Sequence, residues 1–153
     1  MSIEYPPLYI ISSERSGSNL VRKRITENQR IYFGPSPAHF LKHLFYRQQF
    51  YGDLQKDSAF LELIKDAISL CSVHFSAWEV KFNEKKVLED YSKKFKQRNI
   101  VLLGHYLMTE YAKQQGYKSY ICKDNHIFDY VMVILKYIPE AKFIYLYRDA
   151  RDY

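Results

Sequence analysis

A run of four apolar residues, Leu8-Tyr9-Ile10-Ile11, passes through Ser12-Ser13-Glu14-Arg15-Ser16 to Gly17, and beyond Gly17 the pattern changes to helical spacing at Leu20, Val21, Arg24 and Ile25. A short unbroken apolar run marks a strand buried on both faces, and the change of period marks a helix. Strand, tight turn and helix in that order confine the chain to α/β architectures with parallel strands. The turn also carries chemistry. Unpaired N–H groups and the positive dipole end at a helix N-terminus bind phosphate or sulfate, and a glycine lets the backbone approach the anion closely. Arg15 adds a full positive charge, and Ser16 and Ser18 add hydroxyl donors. An ordinary serine-capped turn is the plain alternative for this segment taken alone, so a second segment has to decide.

The rest of the chain repeats the alternation. Phe33-Gly34-Pro35-Ser36-Pro37 reads as a turn, with Ser36 as cap and Pro37 in the first turn of a helix through Phe40, Leu41, Leu44 and Phe45 that Gly52-Asp53 breaks. Apolar spacing predicts helices over 58–73, 85–96 and 101–114, the last ending at Gly116. A short buried strand follows over 118–122, then a helix over 127–137 stopped by Pro139, and a clear strand over 142–147. Strands separated by helical segments imply parallel pairing. The expectation is one α/β domain over 1–153, a parallel β-sheet flanked by helices, with no internal repeat or low-complexity linker.

Composition narrows the function classes. The chain has 153 residues, 47% hydrophobic and 26% charged, which suffices for one real core. No apolar run approaches the ~20 residues of a membrane-spanning helix. The opening residues Glu4, Pro6 and Pro7 do not read as a secretory signal, and the chain is expected in the cytoplasm. Cys71 and Cys122 have no metal-ligand spacing and read as buried thiols, so no metal site is expected. The net charge of +6 fits an anionic partner. The basic cluster Lys85, Lys86, Lys93, Lys94, Lys96 and Arg98 is interleaved with Val87, Leu88, Tyr91 and Phe95 and reads as a solvated helix face, which argues against nucleic-acid binding there.

The deciding segment lies at the other end. In open α/β sheets, functional groups collect at the carboxyl ends of strands. Arg15 follows the first strand, Lys123 follows Tyr120-Ile121-Cys122, and Arg148 follows the strand over 142–147. Were these strands neighbours, the three cations would face one crevice suited to a ligand with several separated anionic groups. Glu14-Arg15-Ser16-Gly17-Ser18-Asn19-Leu20 resembles the 5′-phosphosulfate loop of the sulfotransferases that use 3′-phosphoadenosine 5′-phosphosulfate. Pro139-Glu140-Ala141-Lys142-Phe143-Ile144-Tyr145-Leu146-Tyr147-Arg148-Asp149-Ala150-Arg151-Asp152 is similar to that family's 3′-phosphate strand. The two motifs stand in the family's order, and Lys123 lies where the family often has a lysine after its middle strand.

The resemblance implies a P-loop-like sulfotransferase fold and a sulfuryl transfer from that nucleotide to a hydroxyl or amine acceptor, without a metal. It implies that Ser16, Gly17, Ser18 and Asn19 cradle the 5′ group, that Arg15 neutralises the bridging oxygen as it leaves, and that Arg148 holds the 3′-phosphate. Lys123 and His126 are implied beside the reacting group. The general base is open among His126, Asp124, His39 and His105, with His126 first. Asp124-Asn125 departs from the Thr-Pro that bacterial members often carry after the lysine. The resemblance covers roughly the first half to two thirds of a typical member, so a C-terminally incomplete domain is expected. The alternatives are a non-catalytic nucleotide- or anion-binding module or a degenerate sulfotransferase-like module without turnover and, more remotely, a nucleic-acid binder or a P-loop kinase, which needs a Gly-x4-Gly-Lys run that Gly17 lacks.

Overall fold

The computed structural model of the chain describes residues 5–73, 76–149 and 151. Ala150 and Asp152 of the C-terminal motif lie outside the described residues. The chain forms two compact units, one made of residues 1–37 and 109–153 and the other of residues 38–108.

The first unit holds the sheet. Its strands are β1 (Leu8–Ser12), β2 (Tyr32–Phe33), β3 (Ser119–Cys122) and β4 (Lys142–Leu146), all parallel, in the order β2-β3-β1-β4. Tyr9 and Ile10 are buried, and all four residues of β3 are buried, which is why both strands read as unbroken apolar runs. β4 is an edge strand among the described residues, and its Lys142 and Tyr145 are exposed. β2 is only two residues long, too short to leave a periodic signal, and its segment was expected as the start of a turn.

Two strand connections lie within this unit. α1 (Ser18–Asn28) carries the chain from β1 past β3 to β2. After β3, a 3₁₀ turn at Ile127–Tyr130 runs into the helix Val131–Tyr137, which returns the chain past β1 to β4. The single helix expected over 127–137 is thus split, with Tyr130 at the junction in a non-helical conformation. The β1-to-β2 and β3-to-β4 connections run in opposite directions along the sheet. The strand order therefore reverses between β1 and β3, and α/β sheets bind ligands at the carboxyl end of such a switch point.

The buried face of α1 differs from the expected one. Leu20 is 60% exposed, while Ser18 and Arg22 are buried. Ser18, Arg22 and Thr26, spaced four apart, form an inner stripe that meets polar backbone at the end of β2 instead of an apolar core. The Gly34 N–H donates to Thr26 Oγ1 at 2.8 Å, and Arg22 Nη1 donates to the Gly34 carbonyl.

The second unit is helical. It contains α2 (Phe40–Leu44), α3 (Asp57–Leu70), α4 (Glu84–Lys94) and the Ile100–Met108 part of α5 (Ile100–Gln114), with Phe60, Leu63, Ile64, Tyr91 and Leu103 fully buried. The helix Val131–Tyr137 of the first unit is α6. Asn83 caps α4 by accepting the Lys86 N–H, and Asn99 accepts the Leu102 N–H at the start of α5. α2 does not begin at the expected Ser36-Pro37 cap. Its first residue is Phe40, and His39 occupies the cap position in a left-handed conformation with φ 56° and no side-chain cap bond. Tertiary packing sets this start, because Phe40 seats against Gly104, where a Cβ would come within 3.2 Å of its ring, and edge-on to Trp78.

Candidate functional site

The turn between β1 and α1 is shaped by two left-handed residues, Arg15 at φ 58° and Gly17 at φ 87°. Only glycine adopts that conformation without cost, and no atom crowds a Cβ at Gly17, so backbone shape is the reason for the glycine. Ser16 is buried and donates its hydroxyl to the Ser13 carbonyl at 2.7 Å, closing the turn on itself. The Val21 N–H bonds back to the Gly17 carbonyl at 3.1 Å. The N–H groups of Ser18, Asn19 and Leu20 precede it and have no intrahelical acceptor, as at every helix start. The first turn of α1 carries no acidic residue. Backbone donors, the helix dipole and two serines thus meet without a competing carboxylate on the helix.

The strands on both sides of β1 bring further cations to the same sheet edge. Ser12, the last residue of β1, is level with Leu146, the last of β4, and Arg148 follows two residues later. On the other side Tyr9 pairs with Cys122, and Lys123 follows at once. Adjacent strands are about 4.8 Å apart, so Lys123, Arg15 and Arg148 leave three neighbouring strands, β3, β1 and β4. Lys123 Nζ donates to Asn125 Oδ1 at 2.8 Å, and Asn125 Nδ2 reaches Glu14 Oε1 at 3.4 Å, linking the β3 loop to the β1 turn across the switch point. Burial holds the Lys123 ammonium below the usual lysine range; Asp124 opposes that shift and the positive charge of Arg22 adds to it.

His126 ends the β3 loop at φ 65°, with its side chain half exposed and Nδ1 3.8 Å from Asp129 Oδ2 of its own turn. Asp124 is buried. His39 and His105 belong to the helical unit, where their rings lie 6.2 Å from His43 and 6.1 Å from Phe95. Beyond Arg148, Arg151 holds Asp149 in a two-pronged ion pair, which draws the Asp149 carboxyl below its ordinary range.

Arg22 was not anticipated. It is 8% exposed, and its Nε has no hydrogen-bond partner among the described residues. The available signal was its spacing of four from Ser18, which puts both on one face of α1; the apolar spacing of Leu20, Val21 and Ile25 outweighed it. Among the described residues no group of three or more His, Cys, Asp or Glu side chains could hold a metal ion, and no helix is long and apolar enough to cross a membrane.

A parallel sheet flanked by helices, with a glycine turn between strand and helix at its switch point, defines an α/β protein of the P-loop-like class. The chain belongs to the sulfotransferase family: the family model described as Sulfotransferase family matches residues 6–153. No curated protein and no solved structure matches the chain.

Proposed function

We propose that this sulfotransferase-family domain binds 3′-phosphoadenosine 5′-phosphosulfate across the carboxyl edge of β3, β1 and β4 and moves its sulfuryl group to a hydroxyl or amine acceptor. The observation that carries this reading is the turn at Gly17, whose free helix donors lie between the β3 and β4 loops that deliver Lys123 and Arg148. The residues present suit the nucleotide: a left-handed glycine, free backbone N–H groups, the Ser18 hydroxyl and an acid-free first turn for the 5′ group, and a separate arginine for the 3′-phosphate.

In this reading Ser16, Gly17, Ser18 and Asn19 hold the 5′-phosphosulfate while Arg148 fixes the 3′-phosphate, so that the sulfur is presented in line with the acceptor. The acceptor oxygen or nitrogen bonds to sulfur as the bond from sulfur to the bridging oxygen breaks. Arg15 and Lys123 stabilise the negative charge that develops on the departing oxygen and on the sulfuryl group. Catalysis is then mostly positioning and charge stabilisation, as in phosphoryl transfer. His126 takes the acceptor proton. The buried free thiols Cys71 and Cys122 agree with a reducing, cytoplasmic setting.

Calorimetry with 3′-phosphoadenosine 5′-phosphate tests the assignment. Arg15→Ala and Arg148→Ala should each weaken binding by about 10- to 100-fold, the value of a hydrogen-bonded charge of about 1.5–3 kcal/mol. If neither substitution weakens binding, the site is misassigned.

A further inference from the structure

Arg22 is a buried cation for which the described residues give no ion pair with a carboxylate. Its Nη1 is committed to the Gly34 carbonyl, while Nε has no partner among the described residues. Burial alone depresses its guanidinium, with no carboxylate opposing the shift as Asp124 does for Lys123. Its charge also reaches Lys123 and pushes that ammonium down. Two cations that repel each other, one buried and one half-buried, lower their energy by sharing an anion, because charge removed from water without a counter-charge is destabilising.

The strand order indicates which anion. Arg22 is clamped at the carboxyl end of β2, Lys123 follows β3, the Gly17 turn follows β1, and Arg148 follows β4. Resting on the proposed nucleotide site, the 3′-phosphate end lies at β4 and the 5′-phosphate at β1. The group attached beyond the 5′-phosphate then extends toward β3 and β2. From this juxtaposition we infer that Arg22 is a further donor-binding residue, which together with Lys123 holds the oxygens of the sulfuryl group.

The test compares two nucleotides that differ only in that group. Affinities for 3′-phosphoadenosine 5′-phosphosulfate and for 3′-phosphoadenosine 5′-phosphate are measured by calorimetry on the wild-type chain, Arg22→Gln and Arg22→Lys. Arg22→Gln should weaken the sulfated nucleotide by about tenfold or more and change the unsulfated one by less than about twofold, as expected for loss of one charged hydrogen bond. Arg22→Lys, which keeps the charge and a donor for Gly34 but not the planar fork, should show the same selectivity with a smaller loss. It also provides a reading if Arg22→Gln does not fold. Equal weakening of both nucleotides would make Arg22 a support for the Gly34 turn and overturn the inference, and so would unchanged affinity for the sulfated form. Failure of the wild-type chain to bind either nucleotide would instead remove the underlying site, a result distinct from lost selectivity.

Discussion

Replacing Gly34 with alanine adds one methyl group where α1 meets the end of β2. The new Cβ would stand 2.5 Å from Arg22 Cγ, 2.9 Å from Thr26 Oγ1 and 3.0 Å from Ile121 Cγ2. Nothing can stay in place. Thr26 already accepts the Gly34 N–H, and Arg22 already donates to the Gly34 carbonyl, so any retreat by these side chains loosens a bond made to the same residue. Overpacking of this kind costs about 1–3 kcal/mol, and losing a hydrogen bond from a charged group costs about 1.5–3 kcal/mol. With partial relaxation, the expected loss is about 2–5 kcal/mol, a large share of the about 5–15 kcal/mol that holds a typical domain. At about 2–4 °C per kcal/mol for a chain of this size, melting followed by circular dichroism should fall by roughly 5–15 °C. Gly116→Ala is the control: no atom lies within 4 Å of its Cβ, but its φ of +83° costs about 1–2 kcal/mol for an L-residue. Adding Arg22→Ala should relieve part of the Gly34→Ala loss, giving a coupling of at least about 1 kcal/mol in a double-mutant cycle. A Gly34→Ala chain that melts within about 2 °C of wild type would refute the described packing of α1 on β2.

Tyr9 and Tyr120 share a buried hydroxyl–hydroxyl bond of 2.6 Å between β1 and β3. Tyr9→Phe should cost about 0.5–1.5 kcal/mol by removing this hydrogen bond, and Tyr120→Phe should add little further loss from the same bond in urea titrations, so the Tyr9→Phe/Tyr120→Phe chain should lose less than the sum of the two singles; strictly additive losses would contradict this. Burial raises both phenols above the ordinary tyrosine range. Unfolded tyrosines lose their protons near pH 10 while these two keep theirs, so their contribution is intact below about pH 10 and drains away as pH rises above it, at up to about 1.4 kcal/mol per pH unit for each. Urea midpoints measured from pH 8 to 11 should be flatter in the double phenylalanine variant, and identical slopes would exclude the pair as the cause.

Sequence patterns revealed those parts of the fold whose burial is simple. β1, β3 and β4 stand out as apolar runs, and α3, α4 and α5 show as 3.6-residue stripes because each faces an apolar core. The rule failed at α1, whose inner face meets backbone groups and a charged crevice, so its inward residues are Ser18 and Arg22. It also failed at Ser36-Pro37, where local cap chemistry lost to the packing of Phe40. The strand order was hidden for a different reason: pairing is a property of the assembled sheet, and no local pattern encodes which strands become neighbours. This matters for the site. Along the chain the cations run Arg15, Arg22, Lys123, Arg148, and Arg22 looks like an ordinary residue one helical turn past the anion loop. Along the sheet edge the order becomes Arg22, Lys123, Arg15, Arg148, because β3 inserts between β2 and β1. The fold thus separates Arg22 from Arg15 along the charged row, with Lys123 between them. If the proposed site holds, a donor anchored by its 3′-phosphate at Arg148 presents its sulfur along this row toward Lys123 and Arg22, whose Nε has no partner among the described residues, and Arg22→Gln is the variant that reads that direction.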